Sequence, residues 1–203
     1  MSTNQAKKSE EKRLYILETS FDLVLQKGFV GVGLQELLKS CGIPKGSFYH
    51  YFQSKEAFGC ELLEHYISDY QARLNTLWSN THSAKDNLLA YFHKWIEDSA
   101  EQASWADRCL IVKLAAEVAD LSEDMRLIME QGTKRLVQHI CRLIQQGMDD
   151  ASMHIQADPA QTAQVLYQMW LGAALLSKLH KDKAPLYQAY RATEFMLNGC
   201  KAV

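Results

Sequence analysis

Helical spacing of apolar residues runs through almost the whole chain and constrains the fold more than any other feature. Apolar residues recur every three or four positions, as on one face of a helix, and the alternation typical of a half-buried strand is absent. Only three prolines and ten glycines occur among the 203 residues. Each proline stands where a helical pattern begins, at Pro44, Pro159 and Pro185, a position that helices tolerate. The sequence therefore predicts an all-α protein.

The apolar pattern predicts nine helices joined by short turns. Their approximate bounds or first residues are 9–27, 34–40, Pro44, Ser54, 84–101, 107–119, Ser122, 158–181 and 184–198. No linker rich in Pro, Gly or Ser interrupts the helix that begins at Ser54, so two functional parts are expected to meet inside it. We predict an N-terminal three-helix domain over 9–55 and a larger helical domain over 56–203.

The composition is that of a globular protein and gives a weak indication of partners. The formal net charge is −2, while residues 1–60 carry eight Lys and Arg against six Asp and Glu, an excess that permits a nucleic-acid partner without indicating one. No long apolar stretch predicts a membrane span, and the polar start lacks the apolar core of a signal peptide, so we expect a cytoplasmic protein. Five cysteines without a CxxC pair predict free thiols in a reducing compartment.

The most informative segment, GLQELLKSCGIPKGSFYHYFQSKEAF, occupies residues 33–58. Its first half places leucines on one face of a short helix, and Gly42 then supplies a tight turn. The second short helix, from Pro44, carries small, polar and aromatic residues, which suit the major groove of DNA better than a protein core. The segment from Gly33 to Phe52 therefore predicts a helix-turn-helix.

The second helix of such a motif presents its N-terminal residues to DNA base edges. Lys45 can reach a phosphate or a guanine, and Tyr49 and His50 can donate to phosphate oxygens. Ser54 is expected to cap the next helix, whose first amides can face another phosphate. We predict that double-stranded operator DNA is contacted by Lys45, Gly46, Ser47, Tyr49, His50 and Lys55.

Over about residues 9–60, the chain resembles the TetR family of transcriptional repressors. The resemblance rests on Gly28-Phe29, on the two-helix turn, and on the run from Tyr49 to Lys55 (YHYFQSK), which matches the family signature without a gap. Three positions depart from the common pattern: Gly33 replaces a capping Thr, Cys41 an Ala and Pro44 a Ser. A possible phosphate contact at Gly33 is thereby lost, but the fold is not threatened, because glycine is a tolerable N-cap.

The family resemblance implies a repressor with a helical sensing domain that works as a homodimer. The last two long helices, about 158–181 and 184–198, would form a four-helix bundle with those of a second copy. Two reading heads about one DNA turn apart suit a two-fold operator. The predicted bundle surface consists of apolar and small residues, namely Val165, Leu166, Met169, Leu171, Gly172, Ala173, Leu175 and Leu176.

The chain also resembles a narrower group of the family, whose repressors respond to electrophiles. The segments that carry this resemblance are 44–52, 109–110, 112–114, 116–118, 120–126, 164–167 and 170–173. The resemblance implies that a cysteine, at position Cys109, senses an electrophilic or oxidising small molecule, and that no metal or cofactor is needed.

The residues around Cys109 offer independent support for a reactive thiol. Reactive cysteines are thiolates, which cations or a helix N-terminus favour. Arg108 precedes Cys109 near a predicted helix start, and Lys113 follows one turn later. Lys178 interrupts the apolar run 171–179, where a charge needs a partner, so we hypothesise that it lies near Cys109 as well.

Two other interpretations follow from the same sequence. The first keeps the repressor but replaces the thiol by a pocket for a noncovalently bound hydrophobic molecule, lined by Tyr91, Phe92, Trp95, Trp105, Tyr167, Met169 and Trp170. The second is an enzyme. The chain has no Walker loop, HExxH, GxSxG or dinucleotide fingerprint, and its seven histidines are scattered without metal-ligand spacing, so we expect no catalytic activity.

Overall fold

The computed structural model describes residues 2–78, 83–98 and 103–199. Within these residues the chain forms helices joined by turns, and no strand, which confirms the predicted all-α fold. The helices are α1 (Ser2–Lys27), α2 (Leu34–Cys41), α3 (Lys45–Tyr51), α4 (Lys55–Trp78), α5 (Ala84–Ile96), α6 (Leu110–Leu121), α7 (Glu123–Asp149), α8 (Pro159–His180) and α9 (Ala184–Asn198). None of them has the length and apolar character needed to span a membrane.

Side-chain and proline caps define several helix starts where the sequence predicts them. The hydroxyl of Ser54 accepts from the amide of Ala57 at 2.9 Å, and Ser122 caps α7 in the same way. Asp158 accepts from the amide of Gln161 at 2.8 Å, with proline in the first turn of α8. These side chains satisfy amides that have no partner within the helix.

The predicted bounds of three helices are wrong, and a hydrogen bond from elsewhere in the chain accounts for the end of α5. Helix α1 begins at Ser2 rather than at residue 9, and α6 spans Leu110–Leu121 rather than 107–119. Helix α5 stops at Ile96 instead of reaching 101, while residues 99–102 lie outside the described part. The carbonyl of Ile96 accepts from the Lys183 ammonium at 2.7 Å, so the last turn of α5 is completed by a side chain from the α8–α9 turn.

The chain divides into two units, and α4, α6 and α7 each contribute residues to both. The first unit comprises Met1–Asp69 with Lys113–Glu130, and the second comprises Tyr70–Val112 with Gln131–Val203. The segment Lys113–Glu130 thus joins the unit that holds the helix-turn-helix. The functional boundary that the sequence suggests, 9–55 against 56–203, stays a prediction.

Aromatic rings form the centre of the first unit. Phe48, in the middle of α3, is fully buried, and its ring centroid lies 5.2 Å from that of Phe52 and 5.7 Å from that of Phe58 on α4. Burying such rings removes a large apolar area from water. This cluster fixes the short helix α3 against α4.

The second unit is built around packed aromatic residues of α4, α5 and α8. The ring of Trp170 stacks on Phe92 at 4.6 Å, and its indole N–H donates to the hydroxyl of Thr193 at 2.9 Å. The hydroxyls of Tyr70 and Tyr91 lie 3.1 Å apart, and Trp95 donates to Tyr70 at 3.2 Å. The buried polar atoms of these rings are therefore paired, as a stable core requires.

Candidate nucleic-acid interface and reactive thiol

The turn between α2 and α3 has the geometry that the sequence predicts. Gly42 has a left-handed backbone (φ 63, ψ 33), and its amide turns back to the last carbonyls of α2. This conformation favours glycine. Pro44 forms the N-cap of α3 with an extended backbone, and Cys41 is buried with its sulfur 3.3 Å from the hydroxyl of Ser20. The two departures from the family pattern at Cys41 and Pro44 are thus accommodated.

Helix α3 has one buried face and one exposed face. Lys45, Gly46, Tyr49 and His50 are exposed, while Ser47 is half-buried. The ammonium of Lys45 lies 5.9 Å from the centre of the Tyr49 ring. The predicted base-reading residues therefore share a solvent-facing surface that carries one positive charge and several hydrogen-bond donors. Their contacts with DNA stay a prediction.

Lys55, also predicted to contact DNA, points its ammonium at the protein. The ammonium donates to the carbonyl of Phe29 at 2.8 Å and lies 4.7 Å from the centre of the Phe29 ring. Burial lowers the pKa of Lys55, and the nearby Glu117 carboxylate partly opposes that effect. A phosphate contact by Lys55 stays a prediction.

The loop after α1 is held by α6, a contact that the sequence did not predict. The Glu117 carboxylate accepts from the amides of Phe29, at 3.3 Å, and Val30. One turn earlier, the Lys113 ammonium donates to the carbonyl of Gln26 at 3.0 Å. Lys113 was predicted as a neighbour of Cys109, and its described hydrogen bond lies instead at the end of α1. From the sequence, Glu117 was named only within segment 116–118, which supports the resemblance to the narrower, electrophile-responsive group.

Gly28 makes room for this carboxylate. Its φ of +81 is left-handed, and a Cβ built on it would lie 2.8 Å from an oxygen of Glu117. A side chain at this position would therefore meet both backbone strain and a close contact. The Gly-Phe pair of the sequence signature thus has two roles here: the glycine admits Glu117, and the buried phenylalanine anchors the loop.

Cys109 is the residue immediately before α6, and it is 3 % exposed. Its sulfur accepts from the amide of Val112 at 3.5 Å, as the side chain of an N-cap residue does. A helix N-terminus stabilises a negative charge there. Burial raises the pKa of Tyr167, and repulsion from the Cys109 sulfur adds to that effect. The thiol therefore faces a helix N-terminus and a buried phenol.

Lys178, hypothesised from the sequence to lie near Cys109, reaches the turn that carries this cysteine. Its ammonium donates to the carbonyl of Asp107 at 3.0 Å, two residues before the thiol. Arg108 is half-buried in the same turn. The structure thus brings Lys178, Arg108 and Cys109 to one turn, although a sensing role for any of them stays a prediction.

Among the other described cysteines, Cys60 lies in surroundings that disfavour a thiolate. Cys41 is buried, and Cys60 and Cys141 are half-buried. Burial raises the pKa of Cys60, and the carboxylates of Asp124, Glu56 and Glu64 raise it further. Cys60 is therefore suited to serve as a control thiol. Cys200 lies outside the described residues.

Exposed apolar residues follow one face of α8. Val165, Leu175, Leu176 and Leu179 are 44 %, 57 %, 45 % and 74 % exposed. Gly172 lies on the same exposed face, and α9 adds further exposed rings at Tyr187 and Phe195. The prediction of the bundle surface is wrong at two positions, because Leu166 and Ala173 are buried inside the unit. Contiguous exposed apolar surface of this kind is typical of a protein interface.

Two successive stretches of the chain match two described families. Residues 16–58 match "Bacterial regulatory proteins, tetR family", and residues 84–193 match "Tetracyclin repressor-like, C-terminal domain". The chain therefore belongs to the TetR family of DNA-binding transcriptional regulators. Members of this family are regulators and not enzymes.

Individual relatives narrow the comparison. The chain is 42 % identical over 180 residues to the HTH-type transcriptional repressor NemR of Escherichia coli K12, covering 88 % of this chain and 90 % of the relative. The crystal structure of reduced E. coli NemR matches with a TM-score of 0.84 and 40 % identity, covering 95 % of this chain and all of that one. A solved TetR/AcrR-family regulator matches with a TM-score of 0.85 and 60 % identity, covering 93 % and 100 % of the two chains.

Proposed function

We propose that this protein is a transcriptional repressor that binds its operator as a homodimer and is released when Cys109 reacts with an electrophile or an oxidant. The observation that carries the proposal is the position of Cys109, whose sulfur accepts the Val112 amide at the start of α6. The similarity to NemR, which is itself described as a repressor, supports the direction of regulation. Such a regulator acts in the cytoplasm, where the chromosomal DNA lies.

The proposed chemistry begins with the Cys109 thiolate. With an α,β-unsaturated carbonyl, the sulfur forms a bond to the β-carbon, the carbon–carbon π bond breaks, and the α-carbon takes a proton from water. With hydrogen peroxide, the thiolate attacks one oxygen, the O–O bond breaks, a sulfenic acid forms, and the other oxygen leaves as hydroxide, which takes a proton to become water. Either product enlarges a residue that is buried and in contact with the first turn of α6, where interior packing leaves little spare volume.

The aromatic residues that could line a noncovalent pocket pack on one another instead. Phe92, Trp95 and Trp170 are buried, and the ring of Trp170 packs on both of the others. This packing supports the thiol as the sensor over a preformed hydrophobic pocket at those rings.

The test is operator binding before and after treatment with N-ethylmaleimide, using the DNA upstream of the protein's own gene. We expect the wild type to bind when reduced and to release after treatment, whereas Cys109→Ser binds equally well and stays bound. Cys60→Ser is the matched control and should release like the wild type, because the pKa of its thiol is raised.

A Cys109→Ser variant that releases normally would rule out the cysteine mechanism. If Cys109→Ser fails to bind DNA at all, Cys109→Ala repeats the measurement with a side chain that adds no polar group to the buried site. A cysteine-substituted protein that still leaves DNA when a hydrophobic inducer is added would favour the noncovalent alternative.

A further inference from the structure

We propose that Glu117 is a positioning residue for operator binding, because its carboxylate holds the loop between α1 and α2 in the DNA-reading arrangement. Only the regulatory part of this inference rests on the proposed function. Three observations carry the inference. The charged side chains on α6 complement the backbone groups of the loop, the backbone amide and carbonyl of Phe29 are both hydrogen-bonded to charged side chains, and Gly28 leaves space for the Glu117 carboxylate.

The charges on α6 complement the backbone at the end of α1. Lys113 lies where α1 presents its last carbonyls, and it donates to that of Gln26 at 3.0 Å, as a cation at a helix C-terminus should. Glu117, one turn later on α6, accepts from two successive amides of the loop, those of Phe29 and Val30. Charge-assisted hydrogen bonds of this kind are the stronger ones in proteins.

The backbone amide and carbonyl of Phe29 each bind a charged side chain, and the two side chains come from different helices. Its amide donates to Glu117 at 3.3 Å, and its carbonyl accepts from Lys55, the first residue of α4, at 2.8 Å. The Phe29 ring is buried. At Phe29, the loop that leads into the helix-turn-helix is therefore fixed to both α4 and α6.

The regulatory part follows from the course of α6 along the chain. Cys109 caps this helix, and Glu117 stands eight residues after it, about two helical turns on. A displacement of the first turns of α6 by a modified Cys109 would draw the carboxylate away from the loop amides. The loop, and with it α2, would then leave the reading arrangement.

The first test compares Glu117→Ala, Glu117→Gln and the wild type in the reduced state, on operator DNA and on an unrelated duplex of equal length. We expect Glu117→Ala to bind the operator about tenfold more weakly and the unrelated duplex unchanged. Glu117→Gln should lie between them, because its amide oxygen still accepts but carries no charge. Glu123→Gln, which removes an exposed carboxylate paired with Arg126, is the control.

Operator affinity of Glu117→Ala within twofold of the wild type would overturn the proposal. So would an equal loss of binding to both duplexes, since that result indicates general damage to the fold rather than loss of positioning.

The second test follows amide hydrogen exchange over residues 26–32 in the wild type and in Cys109→Ser, before and after N-ethylmaleimide. We expect faster exchange at Phe29 and Val30 only in the treated wild type. Release of operator without any change at these amides would refute the regulatory part. Wild-type protein that stays bound to the operator after N-ethylmaleimide treatment would refute the proposed sensing function. The operator affinities of the Glu117 variants in the reduced state would still decide the role of Glu117.

Discussion

At the scale of single residues, the turn before α6 allows a test of whether Lys178 and Cys109 act together. The ammonium of Lys178 binds the Asp107 carbonyl, and a cation so near the thiol favours its reactive thiolate. We expect Lys178→Ala to require more N-ethylmaleimide for the same release of operator, and the double variant with Cys109→Ala to behave as Cys109→Ala alone. The measurement is the fraction of DNA bound as a function of reagent concentration.

Lys85→Ala is the control for this pair, because the Lys85 ammonium binds the side chain of Asn198 and lies in the same unit. Strictly additive effects of the Lys178 and Cys109 substitutions would argue against coupling.

The candidate functional residues of this chain were easier to identify from the sequence than the groups that they contact. The sequence singled out Lys55 and Lys113 as cations of interest, but their amines bind carbonyls of Phe29 and Gln26. A contact 87 positions apart in the chain, such as that between Glu117 and Val30, leaves no periodic pattern to find. By contrast, Lys45 and Tyr49 are exposed where the helix-turn-helix pattern places them, because helical periodicity itself decides which face is buried.

At the scale of helices, the start of α8 depends on one carboxylate. Asp158 accepts from the Gln161 amide at 2.8 Å, an amide in the first turn that has no partner within the helix. We expect Asp158→Ala to lower the free energy of unfolding by about 1 kcal/mol, measured by urea denaturation followed by circular dichroism.

Asp158→Asn should retain most of the stability, since its amide oxygen can still accept the same hydrogen bond. An equal loss in both variants would mean that the negative charge at the helix start, rather than the cap, is responsible.

The helix starts that carry a predicted capping side chain or a proline were predicted better than the end of α5, for a physical reason. A start is encoded locally by a capping side chain or a proline, as at Ser122 and Asp158. The end of α5 depends on groups that are remote in sequence, namely the Lys183 ammonium on the Ile96 carbonyl and the Trp105 amide on the Lys94 carbonyl. No window of the sequence around residue 96 contains that information.

At the scale of the whole molecule, the exposed apolar face of α8 predicts how two copies associate. We expect Leu175→Glu to shift the protein toward a monomer at micromolar concentration, because the charge would be buried in the proposed four-helix bundle. Sedimentation velocity measures the change, and operator affinity should fall with it.

Tyr15→Glu, which alters an equally exposed apolar residue on α1, should leave the oligomeric state unchanged. A Leu175→Glu protein that remains a dimer would mean that this face is not the contact between copies.

The inward position of Phe48 has a consequence for how such regulators diversify. The ring ties α3 to the rings of Phe52 and Phe58, while the outward residues Lys45, Gly46, Tyr49 and His50 take little part in the core. Exchanging those outward side chains costs little folding energy. If the outward residues of α3 read the operator as proposed, natural drift or deliberate reprogramming would change which operator is read, while the thermal tolerance and the proposed sensor stay as they are.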